Sequence, residues 1–406
     1  MGIKHIGKFV AYLILAVNIF FISLLLLTAY SPHIKPVVHP VESCFGLTFP
    51  IFLVINICFF IFWLIIQKYK FALFPLVAFL LCYSQIRTYF PLNFHTSKLP
   101  ENSFKVLSYN IMGFDGAVKK DGENLILNYL KNSGADILCL QEYQTIESPR
   151  YLSQKDVEKA LKDYPYHNIQ IVGRGSGKGH TNRIACYSKF PILSSRTLDY
   201  ASEYNGSVVY ELKMGEDTVM LINNHLESNK LTKEDKVVYE SMLKSPETEK
   251  VKSGARLLIR KLAEASAIRA PQADSIAQEI AASRYPYIIV CGDFNVAPLE
   301  NDVWSHKQML KIVSHTPVEV ERLTRLRQAL DLVDVTRRFY PEPEKVYSWW
   351  SYRNPNWQTN NKGRRLDHIW VSPNIAERVT AVKICTYMRA EERPSDHVPV
   401  IMEMKK

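Results

Sequence analysis

Residues 287–295 read YIIVCGDFN, and this stretch decides the fold. An apolar, β-branched run from Tyr287 to Cys291 has the composition of a strand, yet it ends in Asp293 and Asn295, polar groups that a packed core would not want. Five other stretches repeat the pattern. KVLSYN (105–110) ends in Asn110, DILCLQE (136–142) in Gln141 and Glu142, and VMLINNH (219–225) in His225. RLDHIWV (365–371) carries Asp367, while Asp396 and His397 precede VPVIME (398–403). Any one of these clusters has a plain account as a turn or cap. Six clusters at six strand ends do not, because strands lying side by side bring them to one edge of a sheet.

Carboxylates brought that close repel one another unless a cation or a proton sits between them. Asp, Glu and Asn oxygens suit a hard divalent cation. Hydrolysis of a phosphate ester needs this inventory: a Lewis acid and hydrogen-bond donors for the developing negative charge, and a positioned acceptor for the attacking water.

The ordered set SYN, QE, NNH, GDFN, RLDHI and SDH, between Lys105 and Met404, resembles the endonuclease/exonuclease/phosphatase, or DNase I-like, superfamily. The resemblance implies an α+β fold, a four-layer α/β/β/α sandwich with the site at one end. It makes Glu142 the main ligand of Mg²⁺ or Mn²⁺ and Asp396 a second or water-mediated ligand, with Asn110 close by. Asp293 would orient or deprotonate the attacking water, Asn295 would hold a phosphate oxygen, and His225 would donate to the phosphate or leaving group. Asp367 would pair with His397 and keep it cationic. His368 lacks a matching role and is expected to be a structural strand residue.

Working outward, residues 104–406 alternate strand and helix patterns, with a helix over 123–132 stopped at Gly134 and an Ala-rich helix over 272–283. A charged helical insertion near 229–270 interrupts the series, read as a solvated excursion or as a lid or membrane-facing surface. Residues 91–103 read as a polar linker. Residues 1–90 read as a transmembrane anchor of about three helices, near 9–30, 48–67 and 71–87, the last shorter and carrying Pro75. Lys4, Lys8, Lys68 and Lys70 put the N-terminus and second loop inside. Three spans then leave the hydrolase outside, periplasmic in a bacterial inner membrane; two would leave it in the cytoplasm.

The net charge of +10 is no signature of a nucleic-acid grip. Six of the 50 basic and one of the 40 acidic residues precede residue 97, leaving 44 and 39 for the rest. The seven cysteines sit in apolar runs without metal-ligand spacing and read as core. The aromatic stretch YSWWSYRNPNW (347–357) resembles a loop of exonuclease III-type relatives, in which Trp349 and Trp350 would stack on a base and Arg353 would meet a phosphate. Expected partners are a phosphoester substrate (nucleic acid, phospholipid head group, or sugar or inositol phosphate) and a lipid bilayer, with no obligate protein partner. The alternative is a catalytically silent scaffolding module of the same fold at a membrane.

Overall fold

Strand alternation sorts the apolar side chains after residue 103 into three cores, and so produces four layers. The computed structural model describes residues 2–31, 34, 38–83, 85–86, 103–117, 123–173, 182–199, 202–229, 248–296, 333–336, 348–350, 363–384 and 395–405. The first sheet contains β1 (Ser103–Asn110), β2 (Ile137–Gln141), β3 (Tyr166–Val172), β4 (Asn182–Ser188), β13 (Val379–Ile384) and β14 (Val400–Lys405), in the order β13-β14-β1-β2-β4-β3. The second contains β5 (Ile192–Thr197), β6 (Gly206–Met214), β7 (Asp217–His225), β8 (Tyr287–Asp293), β9 (Val333–Asp334) and β12 (Asp367–Val371), in the order β5-β6-β7-β8-β12-β9. A two-stranded ribbon pairs β10 (Trp349–Trp350) with β11 (Gly363–Arg364).

Val106, Cys139, Leu221, Cys291, Ile369 and Met402 point between the sheets into the central core. Their chain neighbours Leu107, Leu138 and Leu140 point outward onto α4 (Leu125–Asn132) and α5 (Gln154–Ala160). Ile222, Val290 and Trp370 pack outward with Ala273, Ile276 and Ile280 of α6 (Thr248–Ala281). Strands apolar on both faces are what a sheet covered on both sides requires. Asn124 caps α4 by accepting from the Leu127 N–H, and Gly134 follows the helix at φ 66°.

The helix expected over 272–283 is instead the end of α6, which runs unbroken through Pro271 for 34 residues. Proline removes one helical hydrogen bond and costs about 3 kcal/mol. Burial of Leu262, Ala265 and Ala270 before it and Ala273, Ile276 and Ile280 after it offsets that cost. The linker over 91–102 lies outside the described residues.

The N-terminal segment forms α1 (Gly2–Ala29), α2 (Phe49–Ile65) and α3 (Tyr69–Leu81), with a 3-10 turn, Glu42–Thr48, ahead of α2. The three-span expectation is corrected: two described helices, Gly7–Ala29 and Cys44–Ile65, are long and apolar enough to cross a membrane. At 13 residues α3 is about 20 Å long by helical rise, short of a hydrocarbon core. It packs along both longer helices, from Trp63 at one end to Ala29 and Phe49 at the other, where Ala78 and Cys82 lie. Asn18 donates to Asn56 Oδ1 at 3.1 Å and accepts from Trp63 Nε1 at 3.0 Å, a buried polar latch between the helices.

Candidate active site

Asn110, Gln141, His225, Asp293 and Asp367 share the inward parity of the core residues on their own strands. The central core therefore continues outward into polar groups. Register sets their neighbours: Asp293 lies between His225 on β7 and Asp367 on β12, and Asn110 lies beside Gln141. Just below, Gln141 Nε2 donates to Asn223 Oδ1 at 2.6 Å across the sheets, a buried polar layer between core and site.

The two sheets meet at Asn110, whose amide donates to Glu142 Oε1 at 3.0 Å and to Asp293 Oδ2 at 3.1 Å. Glu142 departs from strand geometry at φ 53°, so it breaks the alternation and turns toward the same point. Asn295 adopts the same left-handed backbone, also at φ 53°; its N–H binds Asp293 Oδ1 at 2.8 Å and its amide donates to the Leu226 carbonyl at 2.9 Å. Such conformations cost non-glycine residues roughly 1 kcal/mol or more and gather at functional sites. The glycine of GDFN has a steric reason. A Cβ on Gly292 would lie 2.0 Å from the Asn224 carbonyl oxygen of the adjacent parallel strand.

The two histidines sit in opposite electrostatic surroundings. His397 Nδ1 is 2.8 Å from Asp367 Oδ2, and its Nε2 is 3.5 Å from Asp293 Oδ2. Burial alone would lower its pKa, but the Asp367 and Asp293 carboxylates outweigh burial and hold it well above the usual imidazole value. His397 is therefore a cation near neutrality, with both ring nitrogens donors. For His225, burial wins over the attraction of Asp293 and the pKa is lowered. The Asn182 amide lies 3.2 Å from its Nδ1, so Nδ1 accepts and the ring proton sits on Nε2. That proton faces Glu142 Oε1 at 3.6 Å and Asp293 Oδ2 at 3.7 Å, too far for a good bond to either.

Burial also raises the Asp293 carboxyl; His397 opposes this, and Asp367 adds to the rise. Glu142 is raised by burial, against its bond from Asn110, with the Asp396 charge pushing it further; its side chain keeps 38% exposure, which moderates the burial contribution. Among the described residues, the ion-pair partners of Glu142, Asp293 and Asp367 are histidines. The site is short of positive charge and rich in hard oxygen donors, which fits a divalent cation. Atoms of Asp293, Asp367 and His397 lie within 4.8 Å of one another, close enough to share an ion. Asp367 Oδ2 takes His397 Nδ1, while Asp367 Oδ1 is buried without a hydrogen-bond partner.

Three supporting residues carry no role in the sequence reading. Asn182 fixes the His225 tautomer. The Ser348 hydroxyl accepts from the Leu366 and Asp367 N–H groups, both at 3.0 Å. The Ser395 hydroxyl donates to the Asn110 carbonyl at 2.8 Å and accepts from the His397 N–H at 3.1 Å. Ser395 begins the SDH motif and was within reach of sequence; Asn182 and Ser348 act on residues tens of positions away. Trp349 and Trp350 follow Ser348 as strand β10, whereas Arg353 lies outside the described residues.

A sequence model of the Endonuclease/Exonuclease/phosphatase family matches residues 107–397, well over half of the chain. The chain belongs to the endonuclease/exonuclease/phosphatase family. It is thus a hydrolase of phosphoester bonds, and the matched region spans every site residue named above. A second model, a domain of unknown function (DUF8431), matches residues 11–89. The DNA-(apurinic or apyrimidinic site) endonuclease of Dictyostelium discoideum is 26% identical over 310 residues, 76% of this chain and 72% of that protein. The exodeoxyribonuclease of Bacillus subtilis is 27% identical over 297 residues, 73% of this chain and 97% of that protein. Among solved structures, a 3′ phosphatase from Neisseria bound to a product DNA hairpin is 22% identical with a TM-score of 0.49, over 75% of this chain and 100% of that one.

Proposed function

We propose that this family member is a membrane-anchored, Mg²⁺- or Mn²⁺-dependent hydrolase of nucleic-acid phosphoesters. The observation that supports the chemistry best is the meeting of Asn110, Glu142, His225, Asp293 and His397 at the joint between the two sheets. Glu142, with Asp396, would hold the cation, which supplies Lewis-acid stabilisation of charge on the phosphate. Asp293, with its raised pKa, accepts the proton of the attacking water. The neutral His225 donates from Nε2 to the phosphate or leaving group, and the His397 cation stabilises negative charge across from it. Asn110 fixes Glu142 and Asp293 relative to each other, and Asn295, whose Nδ2 donates one hydrogen to the Leu226 carbonyl, offers the other to a phosphate oxygen.

The nucleic-acid assignment draws on the names of the relatives, an abasic-site endonuclease and an exodeoxyribonuclease, and on β10. Trp349 and Trp350 directly follow Ser348, which binds the Asp367 backbone, so the aromatic pair adjoins the site in the chain. Stacking on Trp349 and Trp350 and a phosphate contact from Arg353 would suit single-stranded or frayed ends. The full chain in detergent micelles with Mg²⁺ is to be assayed on abasic duplex, 3′-phosphate duplex, single-stranded DNA, sphingomyelin and inositol phosphates. Hydrolysis of a nucleic-acid substrate that is lost in Glu142→Gln is expected. Hydrolysis of the lipid or inositol substrates alone would overturn the substrate assignment, and metal binding without any turnover would favour the silent scaffold.

Two apolar helices support the anchor, and the packing of α6 against the turn Glu42–Thr48 supports an orientation. That turn lies opposite the basic N-terminus, so a hydrolase beside it faces the non-cytoplasmic side, the periplasm in a bacterial inner membrane. Two spans alone would leave the hydrolase inside; this reading of the outer side therefore rests on α3, which at 13 residues still runs from the Trp63 end of the bundle back to the end of Ala29 and Phe49. Protease protection in sealed, right-side-out vesicles tests this: degradation of the hydrolase from outside is expected, and full protection would reverse the orientation.

A further inference from the structure

The segment immediately after His225 is held by buried side chains of α6. Glu227 N–H donates to Gln272 Oε1 at 2.9 Å, Arg269 Nη1 donates to the Glu227 carbonyl, and Arg269 Nη2 donates to Asn229 Oδ1 at 2.7 Å. Glu227, Arg269 and Gln272 are at most 2% exposed. One residue earlier, the Leu226 carbonyl accepts from Asn295 Nδ2 at 2.9 Å and from Asn205 Nδ2 at 3.0 Å, while its N–H binds the Asp293 carbonyl at 2.9 Å. A fixed guanidinium therefore grips residues 227–229, and residue 226 is the shared backbone support of His225, Asp293 and Asn295.

A planar fork suits this task, since it binds two oxygens in fixed directions and keeps its charge at any working pH. Burying it is costly unless its donors are satisfied, and two of them reach the Glu227 carbonyl and Asn229 Oδ1 in the segment after His225. An ordinary surface helix needs no such grip.

We propose that Arg269, assisted by Gln272, is a positioning residue that sets the reach of His225 and Asn295 toward the substrate phosphate. The insertion helix is on this account part of the catalytic scaffold and not a lid. The inference rests on the reading of His225 as a donor to substrate, and a double-mutant cycle separates the two. With the full chain in micelles, Mg²⁺ and whichever of the abasic duplex, 3′-phosphate duplex or single-stranded DNA the wild type hydrolyses fastest, Arg269→Gln should lower kcat about 10- to 100-fold with KM within about twofold, as expected for a misplacement of order 1 Å. Arg269→Lys, which keeps the charge but loses the fork, should fall between Gln and wild type. In a His225→Asn background, Arg269→Gln should cost less than about threefold, because there is little left to position.

Arg260→Gln, on the exposed side of the same helix, should leave kcat unchanged. Should Arg269→Gln not fold, Asn229→Ala removes one arm of the grip at a part-buried position and should itself lower kcat several-fold. Full additivity of the Arg269 and His225 effects, or a loss confined to stability with kcat per folded molecule unchanged, would overturn the positioning role. Wild-type turnover in His225→Asn would instead overturn the reading on which it rests.

Discussion

Strand β12 carries an acid–histidine pair on each face, and the two are balanced in opposite ways. On the inner face, Asp367 meets His397 at 2.8 Å among Glu142, Asp293 and Asp396. On the outer face, His368 lies 3.8 Å from Asp334, which also takes Arg365 Nη2 at 2.6 Å, Nη1 at 3.3 Å and Trp370 Nε1 at 3.3 Å. Burial would raise the Asp334 carboxyl, but Arg365 and His368 outweigh it and hold it well below the carboxylate range. In the outer cluster the Asp334 charge is thus matched and both of its carboxylate oxygens are taken. The inner cluster has acids in excess, and that excess is what a bound cation and an anionic substrate would use.

The largest effect expected from this contrast is on turnover. Glu142→Gln removes an acid from the side in excess, so kcat/KM should fall by about 10³-fold while the metal-free protein melts no lower than wild type. A melting point well below wild type would mean that the inner cluster is also a structural one. Asp334→Ala should behave in the opposite sense. It strands Arg365, which is 1% exposed, and should cost about 3–5 kcal/mol in urea unfolding while kcat per folded molecule holds. A smaller step is expected on metal addition. Mg²⁺ at roughly 100 times its dissociation constant should stabilise the wild type by about 2.7 kcal/mol, an amount reversed by chelator and missing in Glu142→Gln. Equal stabilisation of both proteins would take the metal away from Glu142.

The same contrast explains what the sequence reveals. Asn110, His225, Asp293 and Asp367 are legible because strand parity is local: each stands an even number of residues from an inward core position, so polarity there is conspicuous. His368 is one residue from Asp367, and the same parity sends it outward, where it packs edge-on against Phe294. Arg269, Gln272, Asn182 and Ser348 are not legible. Their partners lie 18 to 45 residues away, or across a sheet, and no periodicity links a clamp to the loop it grips. The shortness of α3 is not legible for a related reason, since hydropathy over 71–87 reports composition, whereas the helix itself is the 13 residues Tyr69–Leu81.

The smallest effect, and the one most specific to the outer cluster, is on acid stability. Because the folded-state pKa of Asp334 is depressed, its contribution is fully present above the unfolded value of about 3.9 and is lost as pH falls through the folded pKa. Asp334→Asn keeps the shape and one acceptor, so it should be less stable than wild type by about 2 kcal/mol near pH 6. The gap should narrow as both proteins are taken below about pH 4, since the unfolded wild-type chain then takes up a proton that folded Asp334 does not accept until its lower pKa is reached. Urea unfolding midpoints at half-unit steps from pH 6 to pH 3 would show the two curves converging. Parallel curves would mean that Arg365 and His368 do not supply the stabilisation assigned to them, and the distinction between a charge-matched and an acid-rich cluster on the two faces of β12 would lose its electrostatic basis.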